Sequence, residues 1–289
     1  MKWRKRAGRL SKVRVEQFTM LPTKLLTSKD WTRLPPAARV IFVDMCKRHH
    51  HGGQRGPSNN GEIGYGCAAG AKAANVSPST AWRMLLSLRA SGLIRLHKGG
   101  TFKVEAEVGQ ASEWEIAIYP MRGRRPASWG DQQLHLRHWM LNSAVYSGLS
   151  NQAKCILCEL MRRFDGGNNG HIVFGGPEGA SAGLSDDVTE RALTELKHEG
   201  FIMMAAPAIP YQSWSRQWRL TMYPADGKAA TKDFMRVPKR VHATPDDHFI
   251  GADDPLENVS TCGYQLIRDR PSPVRMPKKK RAAAMTQKT

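Results

Sequence analysis

The sequence predicts an α+β fold built from two tandem copies of one unit, each with a three-helix core and a small antiparallel β-hairpin. Three observations support this prediction: an internal repeat, a helix with clear start and stop signals in residues 73–94, and alternating apolar residues after that helix. The chain has 289 residues, enough for about two domains of roughly 100–200 residues each. Hydrophobic residues make up 40% of it, which is sufficient for a packed core.

The best-defined helix begins after Ser77, which is a good N-cap and is followed by Pro78 at the first helical position. Apolar residues recur at spacings of three and four and predict one buried face, with Ala81, Met84, Leu85 and Leu88. Gly92 ends the helix, and Leu93 begins a strand. The opposite face has no acidic residue; it holds Ser79, Thr80, Trp82, Arg83 and Ser87. Such a face suits contact with phosphates and base edges.

The elements around this helix follow in order. The apolar residues 20–26 predict a strand or short helix, and Pro35-Pro36 opens a longer helix. Residues 61–65 predict a short strand, and residues 68–74 a second helix that ends in a tight turn before Ser77. We expect residues 93–96 and 102–108 to pair as a hairpin whose basic tip is Lys98-Gly99-Gly100, and residues 113–119 to complete the sheet.

The pattern then repeats. Residues of the first unit return later in the chain: Ser28, Trp31, Leu34 and Ala38-Arg39 as Ser143, Tyr146, Leu149 and Ala153-Lys154, then Gly92-Leu93-Ile94 as Gly200-Phe201-Ile202, and Trp114 as Trp218. The offset is 115 residues at the start, 108 in the middle and 104 at the end. The two copies therefore differ in length at two loops only, which is where a duplicated fold tolerates insertions.

These patterns divide the chain into a basic flexible arm (residues 1–16), a first unit (17–121), a linker (122–133), a second unit (134–224) and a mostly disordered tail (225–289) with one short docking segment near residues 264–267. We call the two units copy one and copy two. The arm, which includes Arg4, Lys5 and Arg6, has no acidic residue. It is either a solvated tail or a segment that contacts phosphates or the minor groove.

Composition favours a polyanionic partner. The net charge is +19 and the isoelectric point is about 10.1. No apolar stretch approaches the roughly 20 residues of a membrane span, and no apolar segment follows the basic N-terminus as in a signal peptide. We therefore expect a cytoplasmic, nucleoid-associated protein that does not bind membranes. The five cysteines are an odd number and argue against a disulfide framework.

No residue pattern indicates catalysis. Cys155 and Cys158 have the spacing of redox and zinc motifs, but in the repeat they replace Val40 and Val43, which indicates apolar core positions. His49-His50-His51 with Cys46 is interpreted as part of a solvated loop rather than a metal site. We expect no enzymatic activity, no cofactor and no bound metal.

Residues 18–224 resemble the winged helix-turn-helix superfamily. The resemblance is carried by the motif Ser77–Ile94 and by the presence of a second copy of the unit. Two copies in one chain resemble plasmid and phage replication initiators and some regulators from mobile elements. The resemblance implies that the helix after the turn enters the major groove while the β-wing contacts the backbone. It assigns base-edge contact to Ser79, Thr80, Trp82 and Arg83, and backbone contact to Ser77, Lys98 and Lys103.

Copy two departs from this pattern. Its equivalent helix carries acidic residues on the outward face near its N-terminus, at Asp186, Asp187 and Glu190, with Glu195 and Glu199 further along. Carboxylates there would repel phosphates, although acids in a first turn also stabilise a helix dipole. We interpret copy one as the DNA-binding copy. Copy two forms a homodimer, binds a protein partner, or contacts DNA only around Arg191.

The expected function is therefore that of a sequence-preferring protein that binds double-stranded DNA, as a transcriptional regulator of a bacterial, plasmid or phage system. A replication initiator that binds origin repeats is one alternative. A protein-interaction adaptor that has kept the scaffold without DNA binding is the other.

Overall fold

The structure is a computed structural model that describes residues 17–50, 57–103, 108–119, 132–207, 216–225 and 227–236. These residues form an α+β fold with small antiparallel sheets. None of the helices described there has the length and apolar character needed to cross a membrane.

Copy one contains a strand, three helices, and then a second pair of helices surrounded by short strands. Its elements are β1 (Phe18–Pro22), α1 (Thr23–Leu26), α2 (Lys29–Thr32), α3 (Pro36–Arg48), β2 (Ile63–Gly64), α4 (Cys67–Ala74), α5 (Pro78–Ala90), β3 (Ile94–Lys98), β4 (Thr101–Lys103), β5 (Val108–Gln110) and β6 (Glu113–Ile116).

Copy two has the same order of elements except for the equivalents of β4 and β5, which are not among its described strands. It contains β7 (Gln133–Arg137), α6 (His138–Leu141), α7 (Ala144–Gly148), α8 (Asn151–Arg163), β8 (Ile172–Val173), α9 (Gly176–Ser181), α10 (Asp186–His198), β9 (Ile202–Ala206) and β10 (Gln217–Leu220). The sheets agree as well, with strand order β2-β6-β3 in copy one and β8-β10-β9 in copy two. The internal repeat in the sequence thus corresponds to a repeat of structure.

A buried asparagine fixes the same corner of each copy. Asn60 donates from Nδ2 to the carbonyls of Ile116 and Tyr119, at 3.0 Å each, and accepts from the Ile116 amide at 2.7 Å. Asn169 makes the equivalent bonds to Leu220 in copy two. These bonds tie the loop before β2 or β8 to the strand at the centre of each sheet.

The predicted bounds of α5 are confirmed. The Ser77 hydroxyl accepts a hydrogen bond from the Thr80 amide at 3.2 Å, and Pro78 is the first helical residue. Gly92 has a φ of +74°, a left-handed conformation that glycine adopts without steric cost. The turn between α4 and α5 passes through Asn75, whose φ is +50°.

The predicted pairing of the hairpin is wrong. β3 pairs with β6, and β4 pairs with β5 in a separate two-stranded sheet. The reason is the apolar register: Ile94 lies opposite Ile116, and Leu96 lies opposite Trp114. Pairing these residues buries one face of the sheet against the helices, which a pairing of β3 with β4 would not do.

The folded part of the chain extends beyond the predicted boundary at residue 224. A 3₁₀ turn, Asp233–Met235, packs on copy two through Phe234, whose side chain is fully buried. The Phe234 ring stacks on Phe201 at a centroid distance of 4.4 Å and on Trp139 at 5.8 Å. The described part of the predicted tail, residues 225 and 227–236, therefore includes a turn that packs on copy two, and disorder of most of residues 225–289 stays a prediction. The predicted docking segment at 264–267 lies outside the described residues.

The two copies meet across an approximate twofold axis. β1 and β7 pair as antiparallel strands, and Met20 lies opposite His135, its own equivalent 115 residues later. The equivalent helices α3 and α8 pack against each other. One apolar core cluster runs through both copies. The contact therefore has the form of a symmetric dimer interface within a single chain.

Candidate nucleic-acid interface

The outward face of α5 is accessible. Ser79 and Arg83 are exposed and Thr80 is half-buried. An Arg83 Nη2 donates to the Thr80 Oγ1 at 3.3 Å, so the two side chains form one polar surface one helical turn long. The equivalent of Arg83 in copy two is Arg191, which is also exposed.

Two of the predicted site residues have structural roles as well. The Ser77 hydroxyl caps α5 and lies within 2.9 Å of the Thr80 Oγ1 and 3.0 Å of the Ser79 Oγ. Trp82 is half-buried and packs against the apolar core. Leu86, one turn further along, is 38% exposed. The accessible part of the predicted face is therefore centred on Ser79, Thr80 and Arg83.

The basic residues beside α5 are loosely paired. Lys98 on β3 lies 3.7 Å from Glu113, with 56% of its side chain exposed. Arg95 lies 3.4 Å from Glu115 and is similarly exposed. Exposed pairs of this kind contribute less than about 1 kcal/mol, so both cations can exchange a carboxylate for a phosphate. Lys103 lies on β4. The arm residues Arg4, Lys5 and Arg6 lie outside the described residues.

The corresponding surface of copy two has a different charge. Asp186 and Asp187 are exposed in the first turn of α10. Glu190 forms an ion pair with Arg216 just before β10, and this hydrogen-bonded pair lowers the pKa of Glu190 and raises the pKa of Arg216. The two aspartates keep the start of α10 acidic.

Glu195 does not belong to this outward surface, contrary to the expectation. Its carboxylate accepts from the amide and the hydroxyl of Ser150, both at 2.6 Å, at the start of α8. An anion there satisfies helix N–H groups that have no partner within the helix. Glu195 therefore joins α10 to α8 within copy two.

A set of hydrogen bonds between the copies holds α4 and α9 in place. Arg39 on α3 is 3% exposed and donates to the carbonyls of Ala182 at 2.7 Å, Leu34 at 3.0 Å and Thr32 at 2.5 Å. Ala182 ends α9, so a cation of copy one caps a helix of copy two.

The reciprocal contact runs in the other direction. Lys154, the equivalent of Arg39, donates to Ser147 O at 3.2 Å and to Ala73 O at 3.4 Å, and Asn151 donates to Ala74 O at 2.8 Å. Burial lowers the pKa of Lys154 to about 8. Copy two thus caps α4, the helix that leads into α5. The sequence signal for these contacts was a cation at the same place in each copy.

The cysteines on α8 are core residues, as the repeat predicts. Cys155 and Cys158 are buried between the copies. Burial raises the pKa of Cys155 to about 11 and raises that of Cys158 further, which leaves both as thiols. Within the described ranges no group of three potential metal ligands comes together. His49 stacks on Tyr119 at 4.2 Å, and His51 lies outside the described residues.

The structure brings the central predicted residues, Ser77, Ser79, Thr80 and Arg83, to one end of α5, with Lys98 on the adjacent sheet. Asn151 and Lys154 of copy two hold the C-terminal end of α4, the helix that leads into α5. Comparisons with protein-family models, with curated proteins and with solved structures gave no match to this chain.

Proposed function

We propose that this chain is a sequence-preferring protein that binds double-stranded DNA and is built of two tandem winged helix-turn-helix units, of which copy one reads the DNA. The observation that carries the proposal is the exposed, acid-free face of α5, centred on Thr80 and Arg83, in a chain with a net charge of +19. A helix with short polar residues and an arginine near its start can enter the major groove, where arginine donates to guanine acceptors.

The order of elements supports the same proposal. In each copy two helices are joined by a tight turn with a left-handed residue, Asn75 in copy one and Gly183 in copy two. A strand follows the second helix directly in both copies. This arrangement is typical of a helix-turn-helix with an attached β-sheet.

The two copies have different roles in this proposal. α5 carries base contacts, while Lys98, Lys103 and the arm neutralise phosphates. The exposed aspartates at the start of α10 disfavour an equivalent approach by copy two. Copy two also exposes Val173, Met203 and Met204 on β8 and β9, which favours a protein partner or a second copy of the chain on that side.

The sharpest test is selection of bound duplexes from a random pool, followed by fluorescence anisotropy at physiological salt with competitor DNA. A DNA-binding protein with sequence preference enriches a motif, and its affinity for that motif exceeds its affinity for random duplex by at least about 10³-fold. Equal affinities, or no binding under competition, would favour the adaptor alternative. A footprint over tandem repeats beside melted DNA would identify an initiator, whereas a single site upstream of a gene would identify a regulator.

A further inference from the structure

A cleft of about 260 Å³ opens between the two copies on the side of α4. α3 and α4 of copy one form one wall, and α6, α7 and α8 of copy two form the other. A second cavity between the copies, lined in part by the equivalent residues Trp31 and Tyr146, measures only about 10 Å³. The interface is therefore open on the side of α4 and nearly filled at this second position.

Cations dominate the described lining of this cleft: Lys47, Arg48, Lys72 and Lys154. Its one described acid, Asp44, is already engaged. Its carboxylate lies 3.1 Å from Lys47 and 3.3 Å from Arg48, and accepts from the Tyr65 hydroxyl at 3.0 Å. The cleft therefore keeps a net positive charge after its internal pairs are formed.

Most of the remaining lining is apolar; it includes Val40, Val43, Ala69 and Leu141 beside the hydroxyl-bearing Tyr146 and Ser147. A small concave site with an apolar wall and a few cations is suited to an organic anion whose charged end meets the cations. The volume limits this ligand to a small molecule.

We propose that this cleft binds a small organic anion, a carboxylate or phosphate attached to an apolar group, which bridges copy two to α4. Because α4 leads directly into α5, occupancy of the cleft changes the affinity of the chain for DNA; this second part rests on the proposed function. The cleft is then a site where a metabolite regulates the protein, with the ligand coupled to DNA through α4.

The anion site is tested without DNA, by isothermal titration of the full chain with phenyl phosphate, benzoate, inorganic phosphate and benzyl alcohol. The first two probes carry charge and an apolar ring, and the last two carry only one of these features. Comparison of phenyl phosphate with benzoate separates phosphate from carboxylate ligands. We expect saturable 1:1 binding of one or both ring anions, at least about tenfold tighter than inorganic phosphate, since the apolar group adds buried area.

Lys72→Gln removes an exposed cation from the rim, and Lys24→Gln on α1 makes the same charge change outside the cleft. Lys72→Gln should weaken binding by about fivefold or more, and Lys24→Gln by less than about twofold. Absence of saturable binding by both ring anions, or equal affinities of the two variants, would overturn the site.

The coupling to DNA is measured separately. Saturating ring anion should change the DNA affinity of the wild-type chain by about threefold or more. An unchanged DNA affinity overturns the coupling and leaves the anion site standing. Arg83→Ala, which should lose DNA specificity, is expected to keep full anion affinity, so failure of the DNA proposal cannot be mistaken for failure of the anion site.

Discussion

Replacement of Arg39 by methionine tests how firmly the two copies are joined. The guanidinium is buried and donates to three carbonyls, those of Thr32, Leu34 and Ala182. Methionine keeps much of the apolar stem but leaves all three oxygens without this donor. An unsatisfied buried acceptor costs about 1–3 kcal/mol, and removal of a buried charge recovers part of its desolvation cost. We expect Arg39→Met to lower the free energy of unfolding by about 3–5 kcal/mol.

Equilibrium urea unfolding followed by tryptophan fluorescence measures this loss, and the midpoint should fall with little change in slope. Arg33→Met is the matched control, because Arg33 is exposed a few residues earlier, and its effect should stay within about 0.5 kcal/mol. A loss of less than about 1 kcal/mol for Arg39→Met would refute the role of this cation in joining the copies.

Three further predictions concern the other structural contacts and the arm. The pKa of Lys154 is about 8 in the folded chain and near 10.5 when unfolded, so the unfolded state holds more protons on this group between these values. The buried thiols of Cys155 and Cys158, whose pKa values are raised, act in the opposite direction, so the effect of Lys154 is measured as a difference: the free energy of unfolding of wild type relative to Lys154→Met, from urea unfolding, should rise across this window. Asn60→Ala should cost about 2–4 kcal/mol, since it removes the three hydrogen bonds that the side chain makes to the Ile116 and Tyr119 carbonyls and to the Ile116 amide; a thermal midpoint equal to that of wild type would contradict this. Deletion of residues 1–14 should weaken binding to all duplexes alike and reduce the dependence of affinity on salt; an unchanged salt slope would remove the arm from the interface.

Local signals in the sequence were sufficient to predict the elements that carry the candidate site. Ser77, Pro78 and Gly92 define the two ends of α5 because caps and stops act over a few residues. The repeat likewise predicted that both copies share one order of elements. Burial of Cys155 and Cys158 followed from their alignment with the valines of α3.

Contacts between distant residues could not be predicted in the same way. The pairing of β3 with β6 depends on which apolar residues meet across the sheet, and Arg39 contacts Ala182 across 143 positions of sequence. Phe234 is an isolated aromatic residue in a polar segment, so its burial against Phe201 leaves no periodic pattern to detect. The twofold relation between the copies emerges only when Met20 is seen opposite His135.

The central claim is that copy one contacts bases through α5, and a comparison of Arg83→Ala with Arg191→Ala tests it most directly. The two arginines are exposed and occupy equivalent positions, so each variant makes the same chemical change in one copy. On a duplex enriched by selection, Arg83→Ala should lose about 1–3 kcal/mol of binding free energy by fluorescence anisotropy and retain its affinity for random duplex. Arg191→Ala should leave both affinities within about twofold of wild type. Equal losses for the two variants, or an equal loss for Arg83→Ala on selected and random DNA, would contradict the account.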